Sequence, residues 1–80
     1  MSTPETETEI KSSALPASVK SAISKDFPGY KIEEASKIES LKNGNCFEVE
    51  IEKGEETFDV LFTSEGKFLS KTKVEEEEED

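Results

Sequence analysis

The sequence predicts an α+β domain, one N-terminal helix packed on a four-stranded antiparallel meander sheet. Three observations lead there. Residues 15 to 27 space their apolar side chains as a helix does. After Gly29 the chain alternates apolar and polar residues, segment by segment, as half-buried strands do. The turns between those segments are too short for the long crossover that parallel strands need.

The helix is expected over residues 16 to 26. Leu15, Val19, Ala22, Ile23 and Phe27 fall on one stripe, while Lys20, Ser21, Ser24 and Lys25 occupy the other side. Pro16 suits the first helical position, where a missing N–H costs nothing. Phe27-Pro28-Gly29 ends the element, because proline cannot continue it and glycine permits the turn.

Four strands follow. Residues 30 to 41 carry Tyr30, Ile32 and Ile38 on even positions, which predicts one apolar face. Lys42-Asn43-Gly44 is a hairpin signal, since Asn-Gly tolerates positive φ angles. Residues 46 to 52 alternate cleanly, with Phe47, Val49 and Ile51 inward and Glu48, Glu50 and Glu52 outward. Lys53-Gly54-Glu55-Glu56 turns the chain. Residues 57 to 63 then set Phe58, Val60 and Phe62 against Thr57, Asp59, Leu61 and Thr63. Ser64-Glu65-Gly66-Lys67 turns again before a last strand from Phe68 to Val74. The helix stripe and the inner sheet face have only each other to bury against.

Composition sets the scale. Eighty residues, 31% of them hydrophobic, support one modest core and a stability of a few kcal/mol. The net charge of -10 is concentrated at the ends. Glu75 to Asp80 forms an acidic run that buries nothing and is expected to be disordered. Residues 1 to 13 form a polar N-terminal segment in which Thr6, Thr8 and Ile10 alternate with Glu5, Glu7 and Glu9, a weak strand signature. Residues 14 to 74 make the domain itself, and its lysines are interleaved with glutamates in a chain without arginine. Nucleic acid and anionic membrane surfaces are disfavoured as partners, because both require a basic patch. No segment is long and apolar enough to span a membrane.

The chemistry-bearing residues are few. There is no His, which removes a histidine base, a Ser-His-Asp triad and most zinc sites. No glycine-rich phosphate loop is present. The carboxylates fall on turns and outward strand positions, where they keep ordinary proton affinities. The chain therefore reads as no enzyme and calls for no cofactor. Glu55, Glu56 and Asp59, with the acidic run, predict diffuse cation attraction, but no calcium-loop spacing is present to fix an ion. Cys46 is the single cysteine, so no internal disulfide exists, and a strand position predicts a small buried hydrophobe.

The outer sheet face is the most informative surface. Glu48, Glu50, Glu52, Asp59 and Leu61, with the turn at Asn43, are the residues expected to meet a protein partner. A plain solvated face is the alternative, usual for antiparallel sheets.

Five motifs in order support a more specific reading: Leu15-Pro16, Phe27-Pro28-Gly29, Phe47-Glu48-Val49-Glu50-Ile51, Leu61-Phe62-Thr63 and Gly66-Lys67-Phe68-Leu69. Together they resemble the PepSY-like family, also described as β-lactamase-inhibitor-like, over residues 14 to 74. The resemblance implies one repeat of a β-lactamase-inhibitor-protein-like fold, an exported and often periplasmic location, and no catalytic residues. Members commonly carry two repeats behind a signal peptide, whereas no signal pattern is visible here. Thr6 to Ile10 looks like the last strand of a preceding repeat. The expectation is a trimmed second repeat, or a single-repeat relative that keeps this strand. Function then follows as a protein-binding or inhibitory module of the cell envelope; the alternative is a structural half-domain pairing with itself or with a second repeat.

Overall fold

The computed structural model describes residues 5–41 and 44–74. The chain runs β1 (Glu5–Ile10), a single 3₁₀ turn (Ser12–Ala14), α1 (Ala17–Asp26), β2 (Lys31–Ser40), β3 (Gly44–Lys53), β4 (Glu56–Thr63) and β5 (Phe68–Lys73). One antiparallel sheet contains all five strands in the order β1-β2-β3-β4-β5. The α+β class stands, but the sheet has five strands rather than the expected four. The fifth is the polar segment Glu5–Ile10, which pairs along β2 from Glu5↔Ser40 to Ile10↔Ala35. Its sequence gives little burial signal because it is an edge strand, exposed from Thr6 to Glu9.

α1 starts one residue later than expected. Pro16 lies just outside the helix with extended ψ, and its carbonyl accepts from the Val19 and Lys20 N–H groups. The helix ends as its sequence predicts: the Phe27 N–H closes the last turn on the Ile23 carbonyl, and Gly29 takes φ 84. Val19 and Ile23 face the sheet and are buried with Leu15 against Ala35, Phe47, Val49, Ile51, Val60 and Phe62. Phe62, Ile51, Val49, Val60 and Val19 are wholly excluded from solvent. Each such side chain contributes about 1.5–3 kcal/mol of hydrophobic transfer, which is where this small domain finds its stability.

The expected apolar row on β2 is corrected by a bulge. Ile32 opposes Ile51 and Glu34 opposes Glu50, so Glu33 is an extra residue without a partner on β3. A bulge of this kind shifts the alternation by one. Ala35, not Ile38, therefore joins the core, and Ile38 passes to the opposite face beside Cys46. A second irregularity lies between Leu61 and Phe62, where Phe62 faces Phe68 and Leu61 faces Ser70.

The turn between β4 and β5 grips the first turn of α1. Ser18 Oγ donates to the Ser64 carbonyl at 2.9 Å. Thr63 Oγ1 accepts from the Glu65 and Lys67 N–H groups, which fixes the turn. Gly66 is required here twice over. Its φ is 87, and a Cβ at this position would come within 2.5 Å of the Ser18 carbonyl oxygen.

The lower end of the helix–sheet interface is closed by rings and lysines. Tyr30 stands between Phe27 and Phe58, with ring centres 5.9 and 6.1 Å away. Lys71 Nζ sits 4.6 Å from the Phe58 ring centre and 5.9 Å from that of Phe27, and Lys53 Nζ is 5.7 Å from Tyr30.

Candidate functional site

With α1 on one side, the other side of the sheet has no covering layer among the described residues. Register assigns its side chains strand by strand. β1 supplies Glu7 and Glu9, β2 supplies Glu34, Ser36 and Ile38, β3 supplies Cys46, Glu48, Glu50 and Glu52, and β4 supplies Asp59 and Leu61. Glu48 opposes Leu61 and Ser36, and Glu50 opposes Asp59 and Glu34.

Lysines are distributed in the opposite sense. Of the strand lysines described, Lys37 opposes Phe47, Lys53 continues the Phe47-Val49-Ile51 row, and Lys71 and Lys73 oppose Val60 and Phe58. All four lie on the helix side. Lys31, opposite Glu52, is the one that alternation places on the open face, at its lower end. The near-neutral domain is thus strongly polarised across its sheet.

The open face is concave. Glu7, Glu34, Ser36, Glu48, Glu50, Asp59 and Val74 line one shallow depression of about 160 Å³. Desolvation raises the proton affinity of Asp59 above the usual carboxylate value, and Glu7 adds to the shift. Glu7 of β1 and Asp59 of β4 line this same depression, so the sheet is hollowed on its open side. Glu50 is raised in the same direction, first by desolvation and then by Asp59, Glu34, Glu33 and Glu52. These are crowded, half-buried carboxylates rather than freely solvated ones.

The expected contact residues Glu48, Glu50, Glu52, Asp59 and Leu61 do share this face, all of them half-buried. Asn43 lies outside the described residues. Glu7, Glu34 and Ile38 belong to the same face and were missed by the sequence reading, because only the β1 register and the β2 bulge bring them there. The expected cluster of Glu55, Glu56 and Asp59 does not form. Glu56 pairs in register with Lys53 and accepts the Tyr30 hydroxyl at 3.1 Å, on the side away from Asp59. Among the described residues no group of three or more carboxylates or thiols comes together to hold a metal ion. Cys46 is buried as expected, but on the open side, flanked in register by Ile38 and Thr63 rather than within the helix-facing cluster.

A second concavity lies on the covered side, where Ile23, Phe27, Tyr30 and Ile32 floor a groove of about 490 Å³ with Lys20 at its rim. No helix of the described residues is long and apolar enough to cross a membrane.

An α+β domain with one face sealed by a helix and the other left as an acidic hollow is the architecture these residues define. A crystal structure of a BLIP-like protein from Bacteroides fragilis NCTC 9343 is similar to it, with a TM-score of 0.80 and 24% sequence identity. The match covers 95% of this chain and 55% of that one, so the chain spans little more than half the length of its structural neighbour. The likeness shows a BLIP-like fold. No family model matches the chain, and no curated protein matches it.

Proposed function

We propose that the chain is a non-catalytic protein-binding or inhibitory module of the cell envelope, periplasmic or secreted, of the PepSY-like kind its sequence motifs resemble. Its contact surface is the open, concave sheet face. The observation that carries this reading is one hollow lined from four adjacent strands, with Ser36, Glu48, Glu50 and Asp59 half-buried in it, that no element among the described residues covers. Side chains that are part-buried without packing into a core are poised to be buried further by a partner. A BLIP-like neighbour agrees with the reading, although fold alone does not assign function.

The test is affinity capture from envelope and secreted fractions of the producing organism, with a Glu50→Lys/Leu61→Asp bait as control. A protein retained by the natural bait and lost by the control supports the reading. Equal retention by both baits removes this face from consideration.

A second reading, a half-domain that pairs with a second repeat or with itself, is favoured by one observation: the structural neighbour is nearly twice as long as the matched region. Edge strands offer free N–H and C=O groups for such pairing. Charge restricts the geometry. β1 carries Glu7 and Glu9, and β5 carries Lys71 and Lys73, so either edge meeting its own copy sets like charges side by side. Joining β1 of one copy to β5 of another avoids this. Light scattering decides: a concentration-dependent dimer supports the half-domain, and a monomer at millimolar concentration contradicts self-pairing.

A further inference from the structure

We infer that the occupant of the open face is a cationic, amphipathic protein segment, with lysine or arginine over Glu34, Glu50 and Asp59 and an apolar side chain against Ile38 and Leu61. This deepens the docking reading above and rests on it.

Charge complementarity is the first argument. The described strand lysines are held on the helix side, apart from Lys31 at the lower end, while carboxylates from four strands converge on the hollow. A concave surface lined by one sign of charge focuses its field and draws in the opposite sign. The same field repels phosphate backbones, so nucleic acid and anionic lipid do not fit.

Shape is the second. Small-molecule sites enclose roughly 300–1,000 Å³, whereas this hollow is shallow and about half the lower bound. An occupant lies across it rather than within it. Nor do the carboxylates converge tightly enough to chelate a cation, among the described residues. The face matches many separated positive charges on one chain, not one ion.

The third argument is the apolar end of the face. Ile38 and Leu61 are half-buried near the buried Cys46, one strand to either side of β3. A cationic segment with an apolar residue set beyond its charges covers both regions at once. Glu50 and Asp59 are desolvated first and then pressed by neighbouring carboxylates, and positive charge brought onto the face offsets the second of these.

The experiment selects binders from a displayed random-peptide library with the full chain, at about 0.15 M salt, where longer-range surface charges are screened. Selected peptides are then synthesised and titrated against the natural chain, Glu50→Gln/Asp59→Asn, Leu61→Ala, and a Glu75→Gln/Glu77→Gln/Glu79→Gln variant that weakens the acidic terminus. Lys- or Arg-rich peptides with an apolar anchor are expected. Their affinity should fall about tenfold in the face variant, equivalent to about 1.4 kcal/mol, fall measurably in Leu61→Ala, and change less than about twofold in the terminal variant. Neutral or acidic peptides that depend on the face residues would overturn the cationic occupant and leave the docking reading standing. Cationic peptides sensitive only to the terminal variant would overturn both. Selection of no binder would overturn the inference.

Discussion

The two faces of this sheet are built from the same strands by the same alternation, yet they differ in what they bury. On the covered face Val49, Ile51, Val60 and Phe62 are sealed beneath α1 with no buried side-chain polar atom left unsatisfied among the described residues. On the open face their immediate neighbours Glu48, Glu50 and Asp59 gather charge of one sign into a hollow. One face carries the apolar burial that stabilises the fold; the other holds two carboxyls, Glu50 and Asp59, whose proton affinities are raised by desolvation and then by neighbouring carboxylates.

The largest test of this contrast compares adjacent residues. Phe62→Ala should lose about 3–5 kcal/mol, as deletion of a buried ring does, which is most of the stability of a domain this small. Leu61→Ala, one residue away but on the open face, should stay within about 1 kcal/mol of the natural chain. Urea denaturation of the two variants measures both. Equal losses would dissolve the distinction between faces.

A smaller effect is expected at the turn that joins the helix to the sheet. Gly66→Ala combines a left-handed backbone with a clash against the Ser18 carbonyl, and should cost about 1–3 kcal/mol by the same assay. Ser18→Ala removes only the bond to Ser64 and should cost about 0.5–1.5 kcal/mol.

The smallest effect has a definite sign. Glu50 and Asp59 hold their protons more tightly in the folded chain than in the unfolded one. The folded state then binds more protons, and stability falls as pH rises from the ordinary carboxylate value, about 4, through the raised values. On acidification from neutral pH this contribution should recover. Thermal midpoints in low salt, measured across that window, check it; Glu7, Glu34 and Glu52 face the same groups and act in the same direction.

Strict alternation in β3 and β4 made most of the open face legible, because a two-residue period assigns sides without knowledge of the partner strand. It placed Glu48, Glu50, Glu52, Asp59 and Leu61 together correctly. It failed in β2, where the extra residue Glu33 reverses the sides and exchanges Ile38 for Ala35 in the core. A bulge has no signature in a run such as Lys-Ile-Glu-Glu-Ala-Ser, where no glycine marks it. β1 was signalled only by the weak alternation of Thr6, Thr8 and Ile10 with Glu5, Glu7 and Glu9 and was not counted in the sheet, because an exposed edge strand buries almost nothing from Thr6 to Glu9. Curvature was also invisible. It arises from strand twist and irregular register, and it is what turns a row of outward glutamates into a hollow shared with Glu7.

The most direct test of the central claim is chemical denaturation of Glu50→Gln/Asp59→Asn beside the natural chain, at neutral pH and in acid below the ordinary carboxylate range. The variant should be at least as stable as the natural chain at neutral pH, with any advantage vanishing in acid, where the natural carboxyls are also uncharged. A variant clearly less stable at neutral pH would mean that these charges hold the fold together, and would contradict an open face kept for contact rather than for structure.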